Sequence, residues 1–340
     1  MKKIELATGV LFIDKYSKGE LETLSIGDYG KAHNIKAKFL GYNRDINGVP
    51  NISIMPLSEK WVVTLSTQYG CTQKCTFCDV PNVKFKGNAT YEDLMNQLYS
   101  AIKMFPNVSY TERLNIHYAR MGEPMMNTKE VFYHAIKMGN TKFKYDIQEQ
   151  LGLRIEVIHP VFTTMLPKSK DLEGEIFYHL QEWCRIKNDI YKGQAGLQLS
   201  INSTNEKQRQ EMFNGSAHTL EDIAKVCRHL DEPIGRKYCL NFALADNYEV
   251  NAKKLAELFD TRFWMVKMTP IHENNACEEN GIQTFNGYNS FESYSKAESD
   301  LIEVGFDVLI FVPSEDEENG TITCGNAILG GSEFKYNKHL

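Results

Sequence analysis

The chain has 340 residues, 42% of them hydrophobic and 24% charged, an ordinary globular composition with room for one large domain, alone or with a small one. A net charge of −6 argues against a surface that grips nucleic acid all over, because phosphate binding needs a basic face; a local basic patch remains compatible with it. No apolar run reaches the roughly 18 residues that a membrane span needs, so no membrane partner is expected; Met1-Lys-Lys-Ile-Glu-Leu6 lacks a signal-peptide core, and eight cysteines without framework spacing fit a reducing cytoplasm.

Residues 1–55 read as a small β-rich module. Ile4–Ala7, Val10–Asp14 and Lys36–Leu40 have strand character, with turns at Lys18-Gly19 and Asn47-Gly48-Val49-Pro50. Residues 56–312 then alternate strand and helix. Trp61–Leu65 is a buried strand. Thr90 caps a helix with Asp93 at the capping-box position and Leu94, Leu98, Ile102 and Phe105 on one face. Arg113–Tyr118 is a strand, Val131–Met138 a helix and Leu153–Ile158 a strand. The alternation continues through Glu173–Ile186, Gly196–Ile201, Leu220–Leu230, Tyr238–Ala245, Ala252–Phe259, Phe263–Met268, Phe291–Val304 and Phe306–Val312. Such order predicts an α/β fold with a parallel sheet under covering helices. Chemistry in parallel α/β folds sits at the C-terminal ends of strands, and Cys71, Glu123, Ser200 and His272 all follow predicted strands. Residues 313–340 read as a C-terminal loop carrying Cys324, and the acidic run Ser314–Gly320 reads as a solvated connection.

The chemistry gathers in Tyr69-Gly-Cys-Thr-Gln-Lys-Cys-Thr-Phe-Cys-Asp79. Cys71, Cys75 and Cys78 stand in C-x3-C-x2-C order. A structural zinc site usually takes four ligands, and no fourth Cys or His lies within the next thirty residues. A disulfide leaves one of three thiols over. Three thiolates in a short loop suit one face of a [4Fe–4S] cluster whose fourth iron has no protein ligand. Zinc and plain core thiols remain the competing readings.

At these residues the sequence resembles a known family. Cys71-x3-Cys75-x-Phe77-Cys78 is similar to the cluster motif of the radical S-adenosylmethionine (SAM) enzymes. Ser66-Thr-Gln-Tyr-Gly-Cys71, Phe85-Lys-Gly-Asn88 and Met121-Gly-Glu-Pro-Met-Met-Asn127 narrow the likeness to the radical SAM methyltransferases that modify adenine carbons in ribosomal RNA. The resemblance covers residues from about 50 to about 330. It implies a partial (β/α)6 radical SAM barrel, a [4Fe–4S] cluster and SAM as cofactors, and an electron donor such as flavodoxin or ferredoxin as partner. It also implies an RNA or other nucleobase-containing substrate.

Residue roles follow from the same resemblance. Gly122 and Glu123 hold the SAM amino group, since backbone at a glycine comes close to a ligand and a carboxylate accepts from an ammonium. Thr163 and Thr164 are candidates for the SAM ribose or carboxylate, Ser200 and Asn202 for a polar SAM contact against the alternative of a strand-end cap, and His272 stands where the resembled enzymes place a SAM-contacting Asn. Cys324, in Thr321-Ile-Thr-Cys-Gly-Asn326, sits where those enzymes carry a catalytic Cys that takes a methyl group from SAM and passes its carbon to the substrate. A thiol beside a small Gly325 suits that task.

The sequence also departs from the family. The resolving Cys seven residues before the first cluster Cys is Thr64, and the upstream catalytic Glu aligns approximately with Asn51, an amide with no general-base capacity. The helical RNA-holding accessory domain is replaced by the β-rich module. Cys277 is the substitute thiol considered for the resolving step. Cys184, Cys227 and Cys239 read as packing residues. Lys84, Lys86, Lys142 and Lys144, interleaved with Phe85, Phe143 and Tyr145, suit a nucleic-acid contact or ordinary surface alternation. The competing functional reading is a radical SAM enzyme that abstracts hydrogen directly from a different substrate without methyl transfer. A non-catalytic iron–sulfur or zinc protein is the third.

Overall fold

The computed structural model describes residues 1–6, 9–29, 45–46, 49–50, 54–272, 274–284, 290, 292–312 and 324–330. Lys36–Leu40 and Asn51 fall outside these residues. The chain opens with three antiparallel strands, β1 (Lys2–Leu6), β2 (Gly9–Tyr16) and β3 (Gly19–Tyr29). Ser17-Lys18 turns β2 onto β3 with Tyr16 opposite Gly19, the two-residue connection that suits the twist of a hairpin. Then come the short β4 (Asp45–Ile46) and β5 (Val49–Pro50), paired with each other, and β6 (Ile54–Met55) on β3. β7 (Trp61–Leu65) runs antiparallel to β3, so the N-terminal strands continue the main sheet. β8 (Gln68–Tyr69) pairs with β9 (Gly87–Asn88) around the cysteine loop.

From β7 onward the sheet is parallel and follows sequence order. Its strands are β10 (Tyr110–Tyr118), β11 (Arg154–Thr164), β12 (Gly196–Ser200), β13 (Tyr238–Leu244), β14 (Trp264–Pro270) and β15 (Asp307–Ile310). Parallel neighbours need crossovers, and helices supply them. They are α1 (Tyr91–Lys103), α2 (Thr128–Met138), α3 (Thr141–Leu151), α4 (Ile176–Arg185), α5 (Glu206–Met212), α6 (Leu220–Cys227), α7 (Ala252–Leu258), α8 (Asn275–Glu279) and α9 (Glu292–Glu303). The short α10 (Asn326–Leu329) follows Cys324. This is the α/β fold, a parallel sheet with covering helices, expected from the alternation. The predicted capping box is present: Asp93 N–H donates to Thr90 Oγ1 at 3.2 Å, and Thr90 N–H to Asp93 Oδ2 at 2.9 Å. Among the described residues no helix is long and apolar enough to cross a membrane.

Strand side chains alternate between two faces. Trp61, Val63, Leu65, Leu114, Ile116, Tyr118, Phe162, Leu197, Leu199, Leu240, Phe242, Val266 and Met268 pack in one core with the helices. The alternate residues, including Thr64, Asn115, Thr163, Ser200 and Asn241, line the inner face. Thr64 Oγ1, Asn115 Oδ1, Thr163 Oγ1 and Asn241 Oδ1 are buried there with no hydrogen-bond partner among the described residues. Buried polar atoms without partners are costly, so the inner face is built for polar contents rather than for a dry core.

Candidate cluster and cofactor site

The cysteine loop, the Gly122-Glu123 turn, Thr163, Thr164, Ser200, Asn202, His272 and Cys324 lie at the C-terminal edge of the parallel strands. β7 leads through Ser66 and Thr67 to the cysteine loop. Gln97 of α1 clamps the exit, accepting from Ser66 N–H at 2.9 Å and donating to Ser66 O at 3.0 Å. Thr67 N–H and Gln68 N–H both donate to Met121 O, at 2.8 and 3.2 Å. Gln68 is fully buried. Its Oε1 accepts from Glu123 N–H at 3.0 Å and Thr72 N–H at 3.4 Å, and its amide donates to Asn88 Oδ1 at 2.7 Å. One side chain thus ties the cysteine loop, the Gly87-Asn88 strand and the Gly-Glu-Pro turn. The turn needs its glycine: Gly122 has φ +97°, and a Cβ there would lie 2.6 Å from Gln68 Cβ.

Cys71, Cys75 and Cys78 are half-buried and unpaired with one another. Burial pushes the Cys71 thiol up to about 12, and the Cys75 and Cys78 thiols further, with the neighbouring Cys71 raising Cys75, and Cys75 and Cys324 raising Cys78. As free thiols they hold their protons; cationic metal compensates the burial and draws the protons off. Among the described residues no three His, Cys, Asp or Glu side chains close on the geometry of one metal ion. A tetrahedral zinc demands sulfurs about 3.8 Å apart; a cubane gives each cysteine its own iron and accepts a wider set. Three thiols of one loop, with Cys324 beside them from another segment, fit a cluster held by the loop with one iron left open.

Glu123 faces this loop. It is 6% exposed. Oε1 accepts from Met125 N–H at 2.9 Å and Oε2 from Met165 N–H at 3.1 Å. Burial lifts its carboxyl from 4.5 to about 7, against the Thr164 hydroxyl and the two amides, which lower it. No cationic side chain among the described residues pairs with it, and a buried carboxylate so placed is suited to receive a cation. Thr164 Oγ1 also accepts from Leu166 N–H at 3.0 Å. Thr163 faces inward with its hydroxyl unpartnered among the described residues.

Ser200 ends β12 opposite Asn241. Asn202 sits at φ 61°, and its Oδ1 accepts from Ala243 N–H at 3.0 Å; its side-chain oxygen bridges β12 to β13. Arg209, fully buried in α5, was not foreseen. It donates to Ser200 O, Ile201 O, Met165 O and His218 O at 2.6–3.3 Å and lies close enough to Cys75 for the two charges to couple. His272 follows β14. Its carbonyl accepts from the Cys277 thiol at 3.2 Å. Cys277 belongs to α8, which docks on the cysteine loop through Asn274 to Phe77 O at 3.1 Å and Ala276 N–H to Asp79 Oδ1 at 2.9 Å. Cys277 is buried.

Cys324, from the far end of the chain, comes to the same place. Its sulfur faces Ala119 O at 3.8 Å, and its thiol is raised by burial, with Arg120 lowering and Glu22 raising it. It interacts electrostatically with Cys71 and Cys78. Thr64 lies in register with His117 and with Leu24, so the inner face carries a hydroxyl where the resembled enzymes carry a thiol. A carboxylate does stand beside Cys324, and it is Glu22. Nothing in its local pattern, Glu20-Leu-Glu-Thr23 in a strand, distinguishes it from a surface residue.

The chain thus has a parallel α/β fold with three loop cysteines, a Gly-Glu-Pro turn and polar side chains at its C-terminal edge. The fold is shared with a radical SAM methyltransferase from Sphaerobacter thermophilus (TM-score 0.64, 17% identity, 96% of this chain and 80% of that one). In sequence the chain is similar to proteins named dual-specificity RNA methyltransferase RlmN. It is 23% identical over 252 residues to the probable enzyme of Petrotoga mobilis, covering 73% of this chain and 65% of the relative. It is 26% identical over 227 residues to that of Chlorobaculum tepidum, covering 65% and 54%. The chain thus spans between half and two thirds of the length of these relatives. No family model matches it.

Proposed function

We propose that this protein is a radical SAM enzyme that cleaves SAM at a [4Fe–4S] cluster held by Cys71, Cys75 and Cys78. We further propose that it transfers a methyl group through Cys324 to RNA or another nucleobase-containing substrate. The observation that carries the reading is the convergence of Cys324 with Cys71, Cys78 and Glu123, residues up to 253 positions apart by their numbers, on one strand edge. When bound, the cluster and SAM supply one-electron cleavage and a 5′-deoxyadenosyl radical. The protein's own residues do the rest. Glu123 accepts the SAM ammonium, and Gly122 leaves room for it. Thr163, Thr164, Ser200 and His272 offer polar contacts on the inner side, and Asn202 holds the β12–β13 edge that presents Ser200. Cys324 carries the methyl group after losing its thiol proton. A flavodoxin or ferredoxin is the electron donor, and the setting is a reducing cytoplasm.

Thr64 favours the second reading, direct hydrogen abstraction from another substrate, because a hydroxyl cannot form the disulfide that resolves a Cys-linked adduct. Both readings need the cluster. Anaerobic reconstitution should give a broad near-visible absorbance band and reductant-dependent 5′-deoxyadenosine, both abolished by Cys75→Ala in a folded protein. Retained cleavage in that variant sinks the assignment.

A further inference from the structure

The segment that bears Cys324 is held by a residue from the other end of the chain. Glu22, in β3, is fully buried. Its Oε2 accepts from Gly325 N–H at 2.9 Å, and its Oε1 from Ile328 N–H at 3.0 Å. Arg120, itself 7% exposed, donates to Oε2 through Nε at 3.1 Å and Nη2 at 3.0 Å. Ala327 is fully buried against Leu11, Ile13, Leu24, Ile26 and Val62. Gly325 has φ +89°, and a Cβ there would lie 3.0 Å from Val80 Cα, just past the last cluster cysteine. The loop therefore lies flat on the cluster loop, with Cys324 beside Arg120.

We propose that Glu22 is a positioning residue for Cys324: its carboxylate, balanced by Arg120, latches residues 325–328 and so fixes the Cys324 sulfur beside the cluster loop. Its relevance to catalysis rests on the methyl-carrier reading above. The geometry asks for a carboxylate. A buried charge persists only with a partner, and Arg120 is that partner. Two amide donors and a guanidinium need acceptor oxygens throughout, whereas a Gln offers one and turns an NH2 toward the others. Arg120 immediately precedes Met121-Gly122-Glu123, so the latch joins the Cys324 loop and the SAM-holding turn to one anchor.

The test uses the full chain, cluster-free and reduced. Glu22→Gln is expected to raise the iodoacetamide alkylation rate of Cys324 by about tenfold, the effect of losing roughly one strong hydrogen bond. Amide exchange should rise within 324–330, while buried Cys184 and Cys227 stay unreactive. Ile328→Pro removes one donor and is expected to release Cys324 by a similar factor with Glu22 and Arg120 in place. Unchanged alkylation and exchange at Cys324 in both variants overturns the latch. So does a Glu22→Gln protein in which every cysteine reacts while Ile328→Pro leaves Cys324 protected. In the reconstituted enzyme, Glu22→Gln should lower the rate of Cys324 methylation at saturating SAM and leave the half-saturating SAM concentration within about twofold, as positioning rather than binding predicts. If Cys324 of the unaltered enzyme takes no methyl group while the alkylation contrast holds, the carrier reading falls and the latch stands.

Discussion

Replacing Glu123 by Gln changes how stability depends on pH, by an amount that follows from burial. The folded carboxyl titrates near about 7, raised from 4.5 chiefly by desolvation. Between those values the unfolded chain has already released its proton while the folded chain still holds it. The unfolded state binds fewer protons there, so folding stability falls as pH rises across that window. The contribution is fully present below about 4.5 and lost above about 7. A shift of this size is worth about 3 kcal/mol, a large share of a marginal folding free energy. Glu123→Gln cannot titrate and keeps one acceptor oxygen for Met125 or Met165. Urea unfolding of cluster-free, reduced protein, with both forms measured across the window, should show the unaltered protein losing about 3 kcal/mol more than the variant. Parallel pH curves would refute the claim that burial raises the Glu123 carboxyl.

Other outcomes follow from the same geometry. SAM affinity of the reconstituted protein should tighten as pH rises through about 7, because an ammonium binds the ionised Glu123; isothermal titration giving a flat profile contradicts this. Gln68→Met keeps the volume and removes three hydrogen bonds, leaving Glu123 N–H buried and unpaired. It should cost about 3 kcal/mol in urea unfolding, and a loss below about 1 kcal/mol removes Gln68 from the role of tie. Iron and sulfide loading should improve with rising pH, since burial holds the Cys71, Cys75 and Cys78 thiols protonated and metal must displace those protons. Loading that ignores pH argues against thiolate ligation.

Much of the fold was legible because local chemistry and tertiary role agree. The Thr90–Asp93 capping box, the buried Trp61–Leu65 strand and the cysteine trio are short-range patterns. α3 was overlooked. Its Thr141-Lys-Phe-Lys-Tyr-Asp-Ile147 alternates like a basic-aromatic surface, and only Phe143 and Ile147, four apart, point inward and are buried. Lys142 and Lys144 thereby become residues of a helix, with Tyr145 left exposed. Nothing in the sequence marks Cys277 as helical, because five residues are too few to show a helical period, yet it lies buried in α8. Arg209 sits in Glu206-Lys-Gln-Arg-Gln-Glu211, where every neighbour is polar, so nothing marks it as the one side chain drawn inward. Glu22 was out of reach for another reason: its partners lie 98, 303 and 306 positions away, and a strand residue shows its charge in sequence but not its partners.

The central claim is that Cys324 carries a methyl group beside a SAM-cleaving cluster. Intact-protein mass spectrometry with peptide mapping, after the reconstituted enzyme meets methyl-labelled SAM, tests it most directly. The account predicts a labelled methyl group on the Cys324 peptide. Production of 5′-deoxyadenosine with Cys324 unlabelled would contradict it and leave direct hydrogen abstraction as the chemistry of this site.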